Sequence, residues 1–267
     1  LRDGRPKIAE QGAEVAGWRT MVQAIDVRTI GLGGDSEVSL APDGSVKLGP
    51  QRVVPISLLG QRYPEVIAML EADLADTEGG SQHGRFVVLP FGKSTPAEVS
   101  GLSQREIEML SLVGERPKPL RKVALSSGAQ RAALSLRKKG LVQLCGFTPS
   151  DAAHVLGLQA NWSQPAARLA AQLAFRFRNM KLGAAEQIKD FCHEIWSETV
   201  SLSARAIVSA AVDGSLEDNA LVDAVCRGRP VVGLATVSVS PTVPIVAVGG
   251  PARVYYGEVG RRLQCDV

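Results

Sequence analysis

The chain has 267 residues, 45% of them hydrophobic, 21% charged and only 4% aromatic, with a formal charge of +3. This excludes a disordered chain and leaves room for one large domain or two modest ones, with a core resting on Ala, Val, Leu and Ile. The small net charge does not by itself call for nucleic acid or membrane, and no apolar run approaches the roughly 20 residues of a spanning helix.

Residues 1 to about 60 alternate short apolar runs with turn signals. Val15 to Ile30 holds two strand-like pieces, interrupted by Gly31-Leu32-Gly33-Gly34-Asp35-Ser36. Glu37–Leu40, the Asp43-Gly44 turn and Ser45–Leu48 predict a hairpin. Val66, Ile67, Leu70 and Leu74 recur at helical spacing after Pro64, and Arg85–Phe91 reads as a buried strand. Ser103 and Glu106 have capping-box spacing ahead of a helix through Ile107, Leu110 and Val113. Leu120–Ser126, then Ala129–Lys139 with a stop at Gly140, continue the helical pattern, and Leu141–Leu144 is strand-like. That order resembles a winged-helix module.

Ser163 caps a predicted helix carrying Ala166, Leu169, Ala170, Leu173, Ala174 and Phe177 on one stripe. A longer helix is expected over Ala184–Val212, ending at Asp213-Gly214, and a shorter one over Asn219–Cys226. Pro230–Val239 and Val243–Val248 read as buried strands. Gly249-Gly250-Pro251-Ala252 then leads into a helix through Val254, Val259 and Leu263.

The four cysteines lie far apart without a C-x-x-C pair and read as reduced thiols in a cytoplasmic protein. The start lacks a secretory pattern. Leu1 runs straight into a turn and Cys265-Asp266-Val267 looks like the start of a strand, so both ends read as cuts.

Two glycine loops are the candidate ligand sites. Gly31, Gly33 and Gly34 let backbone amides approach a phosphate, with Asp35 for a metal or water and the Ser36 hydroxyl as donor; a tight turn is the alternative. Gly249, Gly250, Pro251 and Ala252 sit where a strand meets a helix, a geometry suited to a nucleotide and equally to a plain connection.

The stretch Ile25-Asp26-Val27-Arg28-Thr29-Ile30 followed by Gly31 to Ser36 resembles the hydantoinase A/oxoprolinase family. Gly49–Pro55, Gly146–Ala152 and Val248–Ala252 extend that resemblance over most of the chain. It implies an α/β fold of the actin-like, sugar-kinase-like (ribonuclease-H-type) kind, binding ATP and Mg²⁺ between two lobes. It also implies ATP-coupled opening of a cyclic amide such as hydantoin or 5-oxoproline, with a second hydantoinase-type subunit in an oligomer. By position, Gly31, Gly33, Gly34 and Ser36 would be a phosphate-side loop, and Gly249, Gly250, Pro251 and Ala252 an adenosine-side loop. Asp26 and Asp35 are the candidate catalytic carboxylates, with Asp35 the metal ligand. The family's first phosphate loop, Asp-x-Gly-Gly-Thr, is expected just before Leu1.

The expected organisation is an actin-like ATPase core from 1–96 and 181–267, with a winged-helix-like helical insertion over 97–180. Between Arg116 and Lys139 that insertion carries Arg116, Lys118, Arg121, Lys122, Arg131, Arg137, Lys138 and Lys139 and no acid. In a winged helix such residues would meet DNA. A nucleic-acid-binding regulator and a non-catalytic docking scaffold are therefore the alternatives to a hydrolase. His193-Glu194 lacks the second histidine of a zinc protease, and His154, near Trp162, reads as structural or substrate-lining.

Overall fold

Alternating short apolar runs and turn residues dominate the first sixty residues, and they form short antiparallel pairs. The computed structural model describes residues 8–9, 14–15, 18–19, 24–25, 29–77, 80–92, 100–212, 219–229 and 231–267. In it β1 (Ile8–Ala9) pairs with β4 (Ala24–Ile25), and β2 (Glu14–Val15) with β3 (Trp18–Arg19). The expected hairpin is β5 (Ser36–Leu40) and β6 (Val46–Arg52), with Val38 opposite Leu48. The Asp43 carboxylate closes its turn by accepting from Ser45 N at 2.9 Å and Ser45 Oγ at 2.6 Å.

The next segment runs β7 (Val54–Pro55), α1 (Ile56–Arg62), α2 (Val66–Ala75) and β8 (Phe86–Val88). Then come α3 (Gln104–Val113), β9 (Lys118–Pro119), α4 (Leu120–Val123), α5 (Ser127–Lys138) and β10 (Gln143–Gly146). The capping box read at Ser103 and Glu106 is formed, and the Ser126 hydroxyl caps α5.

Four strands join in the order β7-β10-β8-β9, β10 running parallel to β7 and antiparallel to β8. The segment expected as a separate insertion, 97–180, thus supplies two of the four strands, β9 and β10. The sheet crosses the boundary drawn at residue 96. Its residues alternate between two cores, as a period of two requires. Phe86, Val88 and Cys145 enter one core with Ile56, Leu59 and Leu70, while Val87, Leu89 and Leu144 enter another with Met109, Val113, Leu120 and Leu136. Burial on both faces explains why Arg85–Phe91 lacks a polar alternation.

The remaining helices are α6 (Pro149–Val155), α7 (Gln164–Asn179), α8 (Ala185–Ala211), α9 (Ala220–Cys226) and α10 (Ala252–Leu263). α6, α7 and the first half of α8 cover the first core. The second half of α8 packs with α9 and α10 around Val200, Val208, Val225, Val259 and Leu263. On α7 it is Phe175 that is buried, whereas Phe177, expected on the apolar stripe, is exposed.

One expectation is corrected. Beyond Pro230, which lies outside the described residues, the predicted buried strands reduce to the two-residue pieces β11 (Val231–Val232) and β12 (Ala235–Thr236). Val237–Val248 joins no sheet among the described residues and bends at Thr242-Val243, and Val246 and Val248 are exposed. Val237, Val239 and Ile245 pack on the third core, so one face is covered while no described strand lies alongside to pair with the backbone. Overall the fold is mixed α/β, ten helices and five small sheets with about half of the described residues helical.

Candidate functional site

The loop after Ile30 is held by its own serine. Gly33 N donates to Ser36 Oγ at 2.9 Å and Ser36 N to Gly33 O at 3.0 Å, closing a turn whose serine is fully buried. Two longer connections then fix the turn in space: Val53 N donates to Asp35 O and Ser150 N to Gly34 O, both at 2.9 Å. A Cβ on Gly34 would stand 2.5 Å from Ser150 Oγ and 3.7 Å from Pro251 Cβ. A side chain at this position would have to displace the Ser150 hydroxyl from where the three segments meet.

This meeting point is one end of a cleft of about 820 Å³. Gly33, Gly34, Asp35, Ser150 and Pro251 line that end, and Val53, Val54 and Leu58 form part of its apolar wall. Phe91 and Trp162 add aromatic surface, and Arg137, Gly140 and Gln143 come from the α5–β10 connection. Arg52 donates to Asp35 Oδ2 through both Nε and a terminal guanidinium nitrogen at 2.7 Å.

The sequence-derived residues divide. Gly33, Gly34, Asp35 and Pro251 reach the cleft, although Pro251 comes from a loop more than two hundred positions away. Gly31 instead borders a second cavity of about 390 Å³, beside Leu48 and Leu202. The Ser36 hydroxyl, expected to face phosphate, is spent on Gly33 N inside the turn. Gly249, Gly250 and Ala252 are not on the cleft lining; Gly249 turns the chain at φ 115° so that Pro251 reaches it. Asp26 lies outside the described residues. Arg52, Phe91 and Gln143 were given no site role from sequence, and Arg137 was read only as a candidate DNA contact; arginine beside an acid is too common a pattern to single out.

The wall containing Ser150 and Trp162 is built around α6. Thr148 and Asp151 form a capping box at its start, and Asp151 is fully buried. Its carboxylate accepts from Thr148 N and Oγ1 and also from Ile56 N at 3.1 Å and Ser57 N at 2.7 Å, so one side chain caps both α6 and α1. Burial pushes its pKa up, while these donors pull the other way. One turn on, buried His154 contacts Ser150 O through Nδ1 at 2.7 Å. Its Nε2 accepts from Trp162 N at 3.2 Å, and the two rings stack. With Nδ1 donating and Nε2 accepting, the imidazole is fixed as one neutral tautomer. His154 is thus a positioning residue for two cleft-lining residues.

Nearby thiols are unreactive by burial, which raises Cys145 strongly and takes Cys192 to about 12. The basic stretch is largely engaged: Arg116 pairs with Glu65, Arg121 with buried Asp73, and Lys139 with Glu106. Arg137 donates to Gln51 Oε1 at 2.7 Å. These partners take from the winged-helix-like surface several of the cations that duplex binding would use.

A nucleotide-borne Mg²⁺ is usually held through one or two protein carboxylates plus phosphate oxygens. Asp35 is the carboxylate on the described cleft lining that could do so, and Arg52 occupies its Oδ2. Among the described residues no group of three or more His, Cys, Asp or Glu is placed to hold an ion, and no helix is long and apolar enough to cross a membrane. Comparison with protein-family models, curated proteins and solved structures finds no match.

Proposed function

We propose that the chain is part of an ATP-dependent cyclic amidohydrolase of the hydantoinase A/oxoprolinase type, built on an actin-like nucleotide-binding core. Mg-ATP would lie at the glycine-loop end of the cleft. The convergence at Gly34 carries this reading. Residues 31–36, 146–152 and 248–252 bear the family resemblance, lie far apart in sequence, and meet there through the Ser150 N to Gly34 O bond and the Pro251 contact.

In this reading the backbone of Gly33 to Asp35 faces the phosphates, where close approach needs glycine. Asp35 would hold the magnesium, and Arg52, released from it, would pair with phosphate oxygens. Bound Mg-ATP supplies the phosphoryl group that activates the amide oxygen of a hydantoin or 5-oxoproline ring for attack by water. Phe91, Trp162 and Leu58 provide apolar walls that limit stray water. A hydantoinase-type second subunit and a cytoplasmic location belong to the same proposal.

Calorimetric titration with Mg-ATP tests it. The wild-type chain is expected to bind, Gly34→Val to lose binding while retaining its far-UV circular dichroism, and Asp35→Asn to lose the magnesium dependence. A wild-type chain that does not bind, or folded variants that bind with unchanged affinity and metal dependence, sinks the reading.

A further inference from the structure

The part of the cleft lined by Arg137 has a chemistry of its own. Among the described residues two cations and one acid line the cleft: Arg52 and Asp35 pair with each other, which leaves Arg137 without an acidic partner on the lining. Arg137 is half-buried at the end of α5, with one terminal nitrogen on the neutral Gln51 amide. A guanidinium has five N–H donors in a planar fork, so this single bond leaves most of its donors for a ligand. On the same lining is Gln143, whose Oε1 is buried without a hydrogen-bond partner among the described residues. A buried amide oxygen without a donor is costly, and a rotation of the Gln143 amide towards the cleft would let a ligand N–H or O–H relieve it. Apolar Val142 and Leu144 lie on the same lining.

We propose that this part of the cleft is a subsite for a small oxyanion, carboxylate or phosphate, carried on a compact apolar or planar body. Arg137 grips the oxyanion and Gln143 accepts from a neighbouring ligand N–H or O–H. The helix that would be the recognition helix of a DNA-binding module here places one of its arginines on a small-molecule cleft. The subsite stands on the cleft's own chemistry and does not require the nucleotide reading.

The test follows tryptophan fluorescence, with Trp162→Phe to assign the signal, during titration with benzoate, inorganic phosphate and uncharged benzamide. At least one of the two anions is expected to bind and benzamide to bind far more weakly; which anion binds tighter identifies the source of the oxyanion. Arg137→Gln should weaken anion binding by about ten- to a hundredfold, the loss expected of a hydrogen-bonded charge. Arg137→Lys should retain part of it, and Arg131→Gln, on the same helix but off the cleft, should retain all of it. If neither anion binds, if benzamide binds as well as benzoate, or if a folded Arg137→Gln binds like wild type, the subsite is refuted. Mg-ATP is titrated separately, so loss of the nucleotide reading and loss of this one give different results.

Discussion

The two glycine loops look alike in sequence and are held in opposite ways. Gly31 to Ser36 is tied by the Ser36 hydroxyl, by Val53 N and by Ser150 N, and Gly34 and Ser36 are buried. Gly249, Gly250 and Pro251 are exposed, and their backbone bonds are local, Ala252 N to Gly249 O at 3.1 Å and Val254 N to Pro251 O at 3.0 Å. The first loop is therefore a rigid shelf against which a ligand can be placed. The second brings a single proline to that shelf. Pre-organisation of this kind comes from packing and buried hydrogen bonds, not from glycine content.

Substitutions can break that contrast. The largest effect is expected at Asp151→Ala, which strips four donors at the starts of α1 and α6 of their acceptor and should lower stability by roughly 2–4 kcal/mol in denaturant titration. A loss below ~1 kcal/mol would mean that the shelf does not depend on that anchor. Gly34→Val comes next: overpacking against Ser150 should cost about 1–3 kcal/mol. Its counterpart Gly250→Ala, with nothing within 4 Å of the new Cβ, should stay within about 0.5 kcal/mol of wild type. Equal effects at the two glycines would erase the distinction between the loops. Ser36→Ala removes the acceptor of Gly33 N and should cost about 1 kcal/mol in the same titration.

A pH-dependent effect separates the shelf from the opposite wall. Glu106 is held at about 2, below its ordinary 4.5, by hydrogen bonds from Lys139, Ser103 and Ser135. A depressed carboxyl contributes stability that is present above its unfolded pKa and is lost on acidification. The α3–α5 unit should therefore weaken as pH falls from about 4.5 towards 2, and Glu106→Gln should flatten the thermal midpoint over that range. A variant that keeps the wild-type slope would remove Glu106 from the account.

Local signals were legible because their physics is local. The Asp43 turn, the Ser103–Glu106 capping box and the Ser163 cap each involve groups within about three residues, and all are formed. The long helix through Ile188, Ile195 and Ile207 was legible from its apolar period. The run Val243–Val248 was misread, since β-branched residues report a tendency to extend while a strand needs a neighbour to pair with.

By itself the sequence determined most of the longer helices, the Ser103–Glu106 and Ser163 caps, the hairpin and the two glycine loops, but not α1, α6 or the Thr148–Asp151 capping box. The tertiary structure alone decided that β9 and β10 complete the sheet with β7 and β8, and that Gly34, Ser150 and Pro251 meet. It also decided that Arg52 closes on Asp35 and that Arg137 serves the cleft. Such contacts depend on where distant segments come to rest, and burial and hydrogen-bond satisfaction across the whole chain select that placement.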